Sequence, residues 1–149
     1  MDVFPIFWNK ISEPAHRGIL CSIDKVRDEL YRVKDDLTYW CCRELPEDFF
    51  KSTYERSIIS AYKNVFSWAV KTSDKDYTHS AVKDFLEPDN ADAFLIAYVL
   101  ADPRLRVLVT QESFQEKCKN KIKIPNVCVV FNLRYMNTIE MLRSLGVVF

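Results

Sequence analysis

Residues 90–110, NADAFLIAYVLADPRLRVLVT, decide the fold class of this chain. The first part carries apolar side chains at helical spacing and predicts a helix that ends before Pro103. The second part, residues 106–110, is a nearly continuous apolar run, typical of a strand buried on both faces of a parallel sheet. Helical and strand-like segments alternate along the chain, which predicts an α/β fold with right-handed crossovers.

Asp92 is an acidic residue on an apolar helix face. At helical period it shares that face with Leu95, Ile96 and Val99, so its carboxylate is predicted to point toward the core. Burying a charge is costly unless it is paired, hydrogen-bonded or bound to a metal. Asp92 is therefore either a site residue or a structural pair or cap.

Two further acids fit the same pattern. Glu29 lies on the predicted apolar stripe formed by Val26, Leu30 and Val33, and Glu112 follows the strand-like run by two residues. Ligands of open α/β sheets bind beyond the carboxyl ends of the strands. We therefore expect Glu29, Asp92 and Glu112 to share one divalent-cation site, with structural roles as the alternative reading.

Length and composition point to one ordinary globular domain. The 149 residues are 48% hydrophobic and 28% charged, with only two glycines, which favours a helix-rich α/β domain over an all-β fold. No run reaches the roughly 18 to 20 apolar residues that cross a bilayer. The first eight residues lack the features of a secretory signal, so we expect a cytoplasmic protein without membrane contact.

Cysteine and charge exclude several site types. The five cysteines are an odd number without a C-x-x-C pair, which indicates reduced thiols. The net charge is zero, so bulk charge gives no argument for nucleic-acid binding. A local basic stretch with a lysine at every second position can hold a phosphate backbone or be a solvated loop: Lys117, Lys119, Lys121 and Lys123.

The pattern predicts the following elements along the chain. Helices are expected at 4–16, 23–33, 36–43, 53–70, 78–86, 91–102, 126–131 and 138–145, and strands at 19–21, 106–110 and 133–136. Ser22, Asn90 and Asn137 are predicted helix caps, Asn137 in a capping box with Glu140.

Five segments resemble, in order and spacing, a prokaryotic branch of the PIN-like superfamily, many members of which look like VapC-type toxins. They are DVFPIFW at 2–8, SIDKVRDEL at 22–30, ADAFLIA at 91–97, VTQE at 109–112 and KIKIPNVC at 121–128. The resemblance covers nearly the whole chain. It implies a three-layer α/β/α domain over residues 1–149 with a short parallel sheet.

The resemblance also implies a function. PIN-type proteins are ribonucleases whose acids hold Mg²⁺ or Mn²⁺, so Glu29, Asp92 and Glu112 would be catalytic metal ligands. Asp28 replaces Glu29 if the helix register differs by one. Lys121 and Lys123 would contact RNA, and an antitoxin protein would be the partner.

Two departures from the family pattern bear on activity. Relatives begin with a central strand that carries the first metal-binding acid, and they usually carry Asp where this chain has Asn126. We therefore expect a domain that lacks or replaces that strand, with a homodimer as one remedy. A catalytically dead module that binds an antitoxin or RNA is the alternative function, and a structural domain without metal is the third reading.

Overall fold

Short parallel strand pairs organise the fold. The computed structural model describes residues 5–146, with side chains from Trp8 onward. This part of the chain forms two compact units that divide between Thr53 and Tyr54. It contains eight helices and two two-stranded parallel sheets, so the coarse α/β prediction is confirmed.

The first unit holds one of the two sheets. Its elements in chain order are α1 (Pro5–His16), β1 (Ser22–Ile23), α2 (Asp24–Val33), α3 (Asp36–Glu44) and β2 (Phe50–Lys51). β1 pairs with β2 in parallel, with Ser22 opposite Phe50. Ile23 and Trp40 are buried in this unit, and the Trp8 and Trp40 rings lie 5.1 Å apart.

The second unit holds the other sheet. Its elements are α4 (Arg56–Thr72), α5 (His79–Phe85), α6 (Asp92–Leu100), β3 (Leu108–Val109), α7 (Ile124–Val130), β4 (Tyr135–Met136) and α8 (Thr138–Ser144). β3 pairs with β4 in parallel, with Leu108 opposite Tyr135. The core is the packing of α6 on α4 and on α7, in which Val65, Ile96 and Val127 are completely buried.

Most predicted helices are confirmed within two or three residues of their ends, although Phe4 lies outside the described residues. The strand predicted at 19–21 is wrong, because β1 begins at Ser22. Ser22 is therefore a strand residue and not a helix cap; the cap position of α2 is Ile23. The sequence pattern missed β2 altogether.

The predicted cap of the last helix is confirmed. Asn137 Oδ1 accepts a hydrogen bond from the Glu140 N–H at 2.8 Å, and its amide donates to Glu140 Oε1 at 3.0 Å. The predicted cap of α6 is wrong by one residue, because Ala91 occupies the cap position; Asn90 precedes it, and its Oδ1 accepts from the Asp92 N–H at 3.0 Å. In residues 5–146 no helix combines the length and the apolar character needed to cross a bilayer.

Candidate functional site

Asp92 begins α6 in the second unit and is held there by Asn90. While Asn90 Oδ1 accepts from the Asp92 N–H, its amide nitrogen donates to the Asp84 carbonyl at 3.1 Å. One side chain thus fixes the end of α5 to the start of α6. Asp92 is half-buried, as the apolar neighbours on its helix face predict.

A pocket of about 170 Å³ opens beside Asp92. Three buried apolar side chains form part of its wall, those of Ala81, Phe85 and Ile122. The remaining lining residues are polar: Asp84, Asn90, Asp92, Asn120 and Lys121. The residues that line this small space therefore include two with carboxylates, two with amides and one with an ammonium group.

Glu112 is held at the start of α7. Its side chain is 23% exposed. Oε2 accepts from the Ile124 N–H at 2.9 Å, one of the backbone donors that a helix leaves unsatisfied at its first turn. The Glu112 N–H in turn donates to Thr110 Oγ1 at 3.1 Å. These bonds supply a structural role for Glu112 while leaving lone pairs on both oxygens.

Lys121 connects Glu112 to the pocket. Its ammonium nitrogen lies 3.4 Å from Glu112 Oε1, and the same residue lines the pocket beside Asp92. Of the five predicted site residues, Lys121 therefore shares a pocket lining with Asp92 and an ion pair with Glu112. Lys123 lies two residues farther on, at the cap position of α7, and is half-exposed.

Glu29 is exposed, whereas the sequence pattern predicts it on a buried helix face. It lies in the first unit on α2, where Glu29 is exposed and Val33 is 67% exposed. The expectation that Glu29 points toward the core is therefore wrong. The neighbouring acid Asp28 is also exposed and pairs with Arg27 at 3.2 Å.

Asp24 is the buried acid of this segment, and sequence reasoning missed it. It is 7% exposed, and its carboxylate accepts from the N–H and the hydroxyl of Thr53. One feature of the sequence could have indicated it: Asp24 directly follows the apolar Ile23 at the predicted start of a helix, where an acidic side chain can accept from backbone N–H groups of the first turn. The carboxylate also accepts from the Lys25 N–H at 2.8 Å. Asp24 therefore holds the ends of β1 and β2 together.

Asn126 uses both ends of its side-chain amide. Its Oδ1 accepts from the Gln115 N–H at 3.0 Å and its amide donates to the Gln115 carbonyl at 2.8 Å. An aspartate would retain the first bond and lose the second, because a carboxylate has no donor. Asn126 also donates to Tyr77, whose pKa is raised by burial and lowered in part by this hydrogen bond.

The described residues do not gather a set of acidic side chains of the kind that holds a hard cation. Carboxylate and amide oxygens are the ligands that Mg²⁺ prefers, and Mg²⁺ usually keeps several waters and takes one or two protein carboxylates. Among residues 5–146 no group of three or more His, Cys, Asp or Glu side chains lies close enough together to hold an ion. The carboxylates that line the pocket or reach it through Lys121 are Asp84, Asp92 and Glu112.

Comparison with known proteins gives a family and no function. A family model described as "Domain of unknown function (DUF4411)" matches residues 1–149. No curated protein and no solved structure matches the chain.

Proposed function

This chain belongs to the DUF4411 family, and we propose that it is a PIN-like, metal-dependent endoribonuclease, the toxin of a toxin–antitoxin pair in the cytoplasm. The observation that carries the proposal is that Lys121 lines the same pocket as Asp92 and forms an ion pair with Glu112. The order of the five motifs supports the finer assignment to a three-layer PIN-like domain. The parallel pairing in both sheets is consistent with it.

Each side chain has a defined part in the proposed site. Asp92 and Glu112 hold Mg²⁺ or Mn²⁺. The ion supplies activation of water and neutralisation of charge on the scissile phosphate. Asn90 acts as a positioning residue, because it fixes the backbone N–H of Asp92 to the end of α5. Lys121 and Lys123 contribute positive charge for the phosphate backbone of RNA.

The proposal is tested by titrating the chain with Mn²⁺ in a calorimeter and by following cleavage of single-stranded RNA with Mg²⁺ present. We expect measurable Mn²⁺ binding that is lost in Asp92→Asn and Glu112→Gln. Asp89→Asn and Glu116→Gln are the matched controls, since both acids are exposed and lie near the altered residues in sequence. Equal Mn²⁺ binding in Glu112→Gln and Glu116→Gln would refute a metal role for Glu112.

A catalytically inactive module that binds an antitoxin or RNA is the second candidate. Asn126 favours it, because an amide clamped to Gln115 stands where relatives carry an acid. Under this alternative the chain binds RNA without Mn²⁺, and no variant of Asp92 or Glu112 changes the heat of Mn²⁺ titration. The same titration therefore separates the two candidates.

A further inference from the structure

Phe114 is an exposed aromatic residue in the polar loop between β3 and α7. It is 46% exposed, and it is the only aromatic residue in the sequence between Tyr98 and Phe131. A single exposed apolar side chain is common on protein surfaces and by itself indicates no function. Phe114 differs from such a residue because its loop is tied to the neighbouring helix and carries several lysines.

Hydrogen bonds fix the backbone on both sides of Phe114. Gln115, the next residue, donates its N–H to Asn126 Oδ1 at 3.0 Å, and its carbonyl accepts from the Asn126 amide at 2.8 Å. Glu112, two residues before Phe114, accepts through Oε2 from the Ile124 N–H at 2.9 Å. Both ties lead to α7. An aromatic ring on a fixed backbone loses less conformational freedom when a ligand binds to it.

Lys117 lies close to Phe114 because the chain turns directly after Phe114. The Gln115 carbonyl accepts from the Cys118 N–H at 3.4 Å, and the first and last Cα atoms of such a turn lie within about 7 Å of each other. Lys117 is the third residue of this turn and is exposed. Glu116, the second residue, is also exposed, so the turn itself carries one charge of each sign.

The rest of the loop adds positive charge. Lys119 is exposed, and its carbonyl accepts from the Thr78 N–H at 3.0 Å, which ties this part of the loop to the start of α5. Residues 112–123 contain four lysines and two glutamates. Proteins that bind single-stranded nucleic acid combine positive charge along the phosphates with aromatic side chains on which the bases stack. The loop offers both features.

We propose that Phe114 is a stacking platform for one base of a single-stranded RNA, and that Lys117 and Lys119 contact the neighbouring phosphates. This inference rests on the proposed function, because it takes RNA as the ligand, but it requires no metal ion. Single-stranded RNA is the substrate class because its unstacked bases can be splayed out onto an aromatic side chain. Every base has a π-face, so the platform does not select one base over another.

Two strands of equal charge separate stacking from phosphate contacts. One is a fluorescently labelled oligouridine of about ten nucleotides, and the other is a strand of the same length whose riboses carry no base. Fluorescence anisotropy with EDTA present measures the dissociation constant of each. We expect the unaltered chain to bind the oligouridine at least about fivefold more tightly than the abasic strand, which is the low end of the effect of one stacked base.

Phe114→Leu keeps an apolar side chain and removes the π-face. We expect it to weaken binding of the oligouridine about fivefold or more and to leave binding of the abasic strand within about twofold. Phe114→Trp should bind the oligouridine at least as tightly as the unaltered chain, because the indole ring keeps a large π-face. Lys117→Met should weaken binding of both strands by the same factor, because a phosphate contact carries no base information.

Phe66→Leu is the matched control. Phe66 lies on α4 and is 43% exposed, so the substitution is the same and the exposure is nearly equal to that of Phe114. It lies outside the lysine-rich loop in sequence. We expect Phe66→Leu to bind both strands as the unaltered chain does, within about twofold.

Weaker binding of the oligouridine alone in Phe114→Leu, with binding kept in Phe114→Trp and Phe66→Leu, supports the inference. Equal weakening on both strands in Phe114→Leu overturns it, because the residue then acts through the loop and not through a base. Unchanged binding of both strands also overturns it and leaves a protein partner as the ligand of Phe114. If the unaltered chain does not bind the oligouridine, the inference falls, whereas the Mn²⁺ titration and the cleavage assay still decide the proposed function.

Discussion

Asp24 accepts two hydrogen bonds from Thr53, one from the backbone N–H at 3.0 Å and one from the hydroxyl at 2.8 Å. Both residues are buried, at 7% and 3% exposure. Asp24 directly follows β1, and Thr53 comes two residues after β2. The pair therefore fastens the ends of two parallel strands that are only two residues long and share few backbone hydrogen bonds of their own.

Asp24→Ala is expected to lower the free energy of unfolding by about 3 kcal/mol, because hydrogen bonds to a charged group contribute about 1.5–3 kcal/mol each and the Thr53 donors are left unsatisfied. Urea denaturation followed by circular dichroism measures the change. Asp28→Ala is the control. That acid is exposed and forms a surface ion pair with Arg27, so its loss should change stability by less than about 0.5 kcal/mol. If the two variants lowered the free energy of unfolding equally, the hydrogen bonds between Asp24 and Thr53 would not be what stabilises the strand ends.

The helices could be predicted from the sequence because their apolar residues repeat over several turns. The segment that contains Val65 and Ala69 is the clearest case, since its buried face extends along the whole of α4. The strands could not be placed in the same way. β2 consists of Phe50 and Lys51 alone, and two residues do not establish an alternating pattern.

In the candidate site, too, some features could be predicted from the sequence and others could not. The half-buried position of Asp92 follows from its apolar neighbours on α6. The preference of asparagine for helix starts places Asn90 near the start of α6, but Ala91 holds the cap position itself. The exposure of Glu29 did not follow, because Val33, which completes its stripe in the sequence, is itself exposed at the end of α2. The contact of Lys121 with Glu112 spans nine residues of loop, and no local pattern encodes such a contact.

Cys128 provides a pH-dependent test of the core of the second unit. The residue is completely buried on α7, as its apolar surroundings in the sequence predict. Burial raises the pKa of the Cys128 thiol from its ordinary value of 9.0 to about 11. The neutral thiol is therefore the form that the folded protein favours.

We expect the free energy of unfolding to fall as the pH rises from 9 toward about 11. In that interval the unfolded chain loses the Cys128 proton while the folded chain retains it, so the unfolded state binds fewer protons and stability declines with pH. Two pKa units correspond to about 2.7 kcal/mol at most. Urea denaturation at several pH values should show a steeper decline for the unaltered chain than for Cys128→Ala, in which the other titrating groups remain. Parallel curves for the two proteins would contradict the assignment.

The salt dependence of RNA binding tests the placement of Lys123. If the Lys123 ammonium neutralises one phosphate, Lys123→Met should lower the slope of log K against log salt by about 0.7, the value for one contact with a single strand. The loss of affinity should be nearly uniform across RNA sequences, because phosphate contacts carry no base information. Fluorescence anisotropy with a labelled single-stranded RNA, with EDTA present to prevent cleavage, measures both quantities. Lys63→Met is the control, since Lys63 is exposed on α4, away from the lysine stretch in sequence, and makes the same change in net charge. A slope that falls equally in both variants would show that the RNA responds to total charge and not to a contact at Lys123.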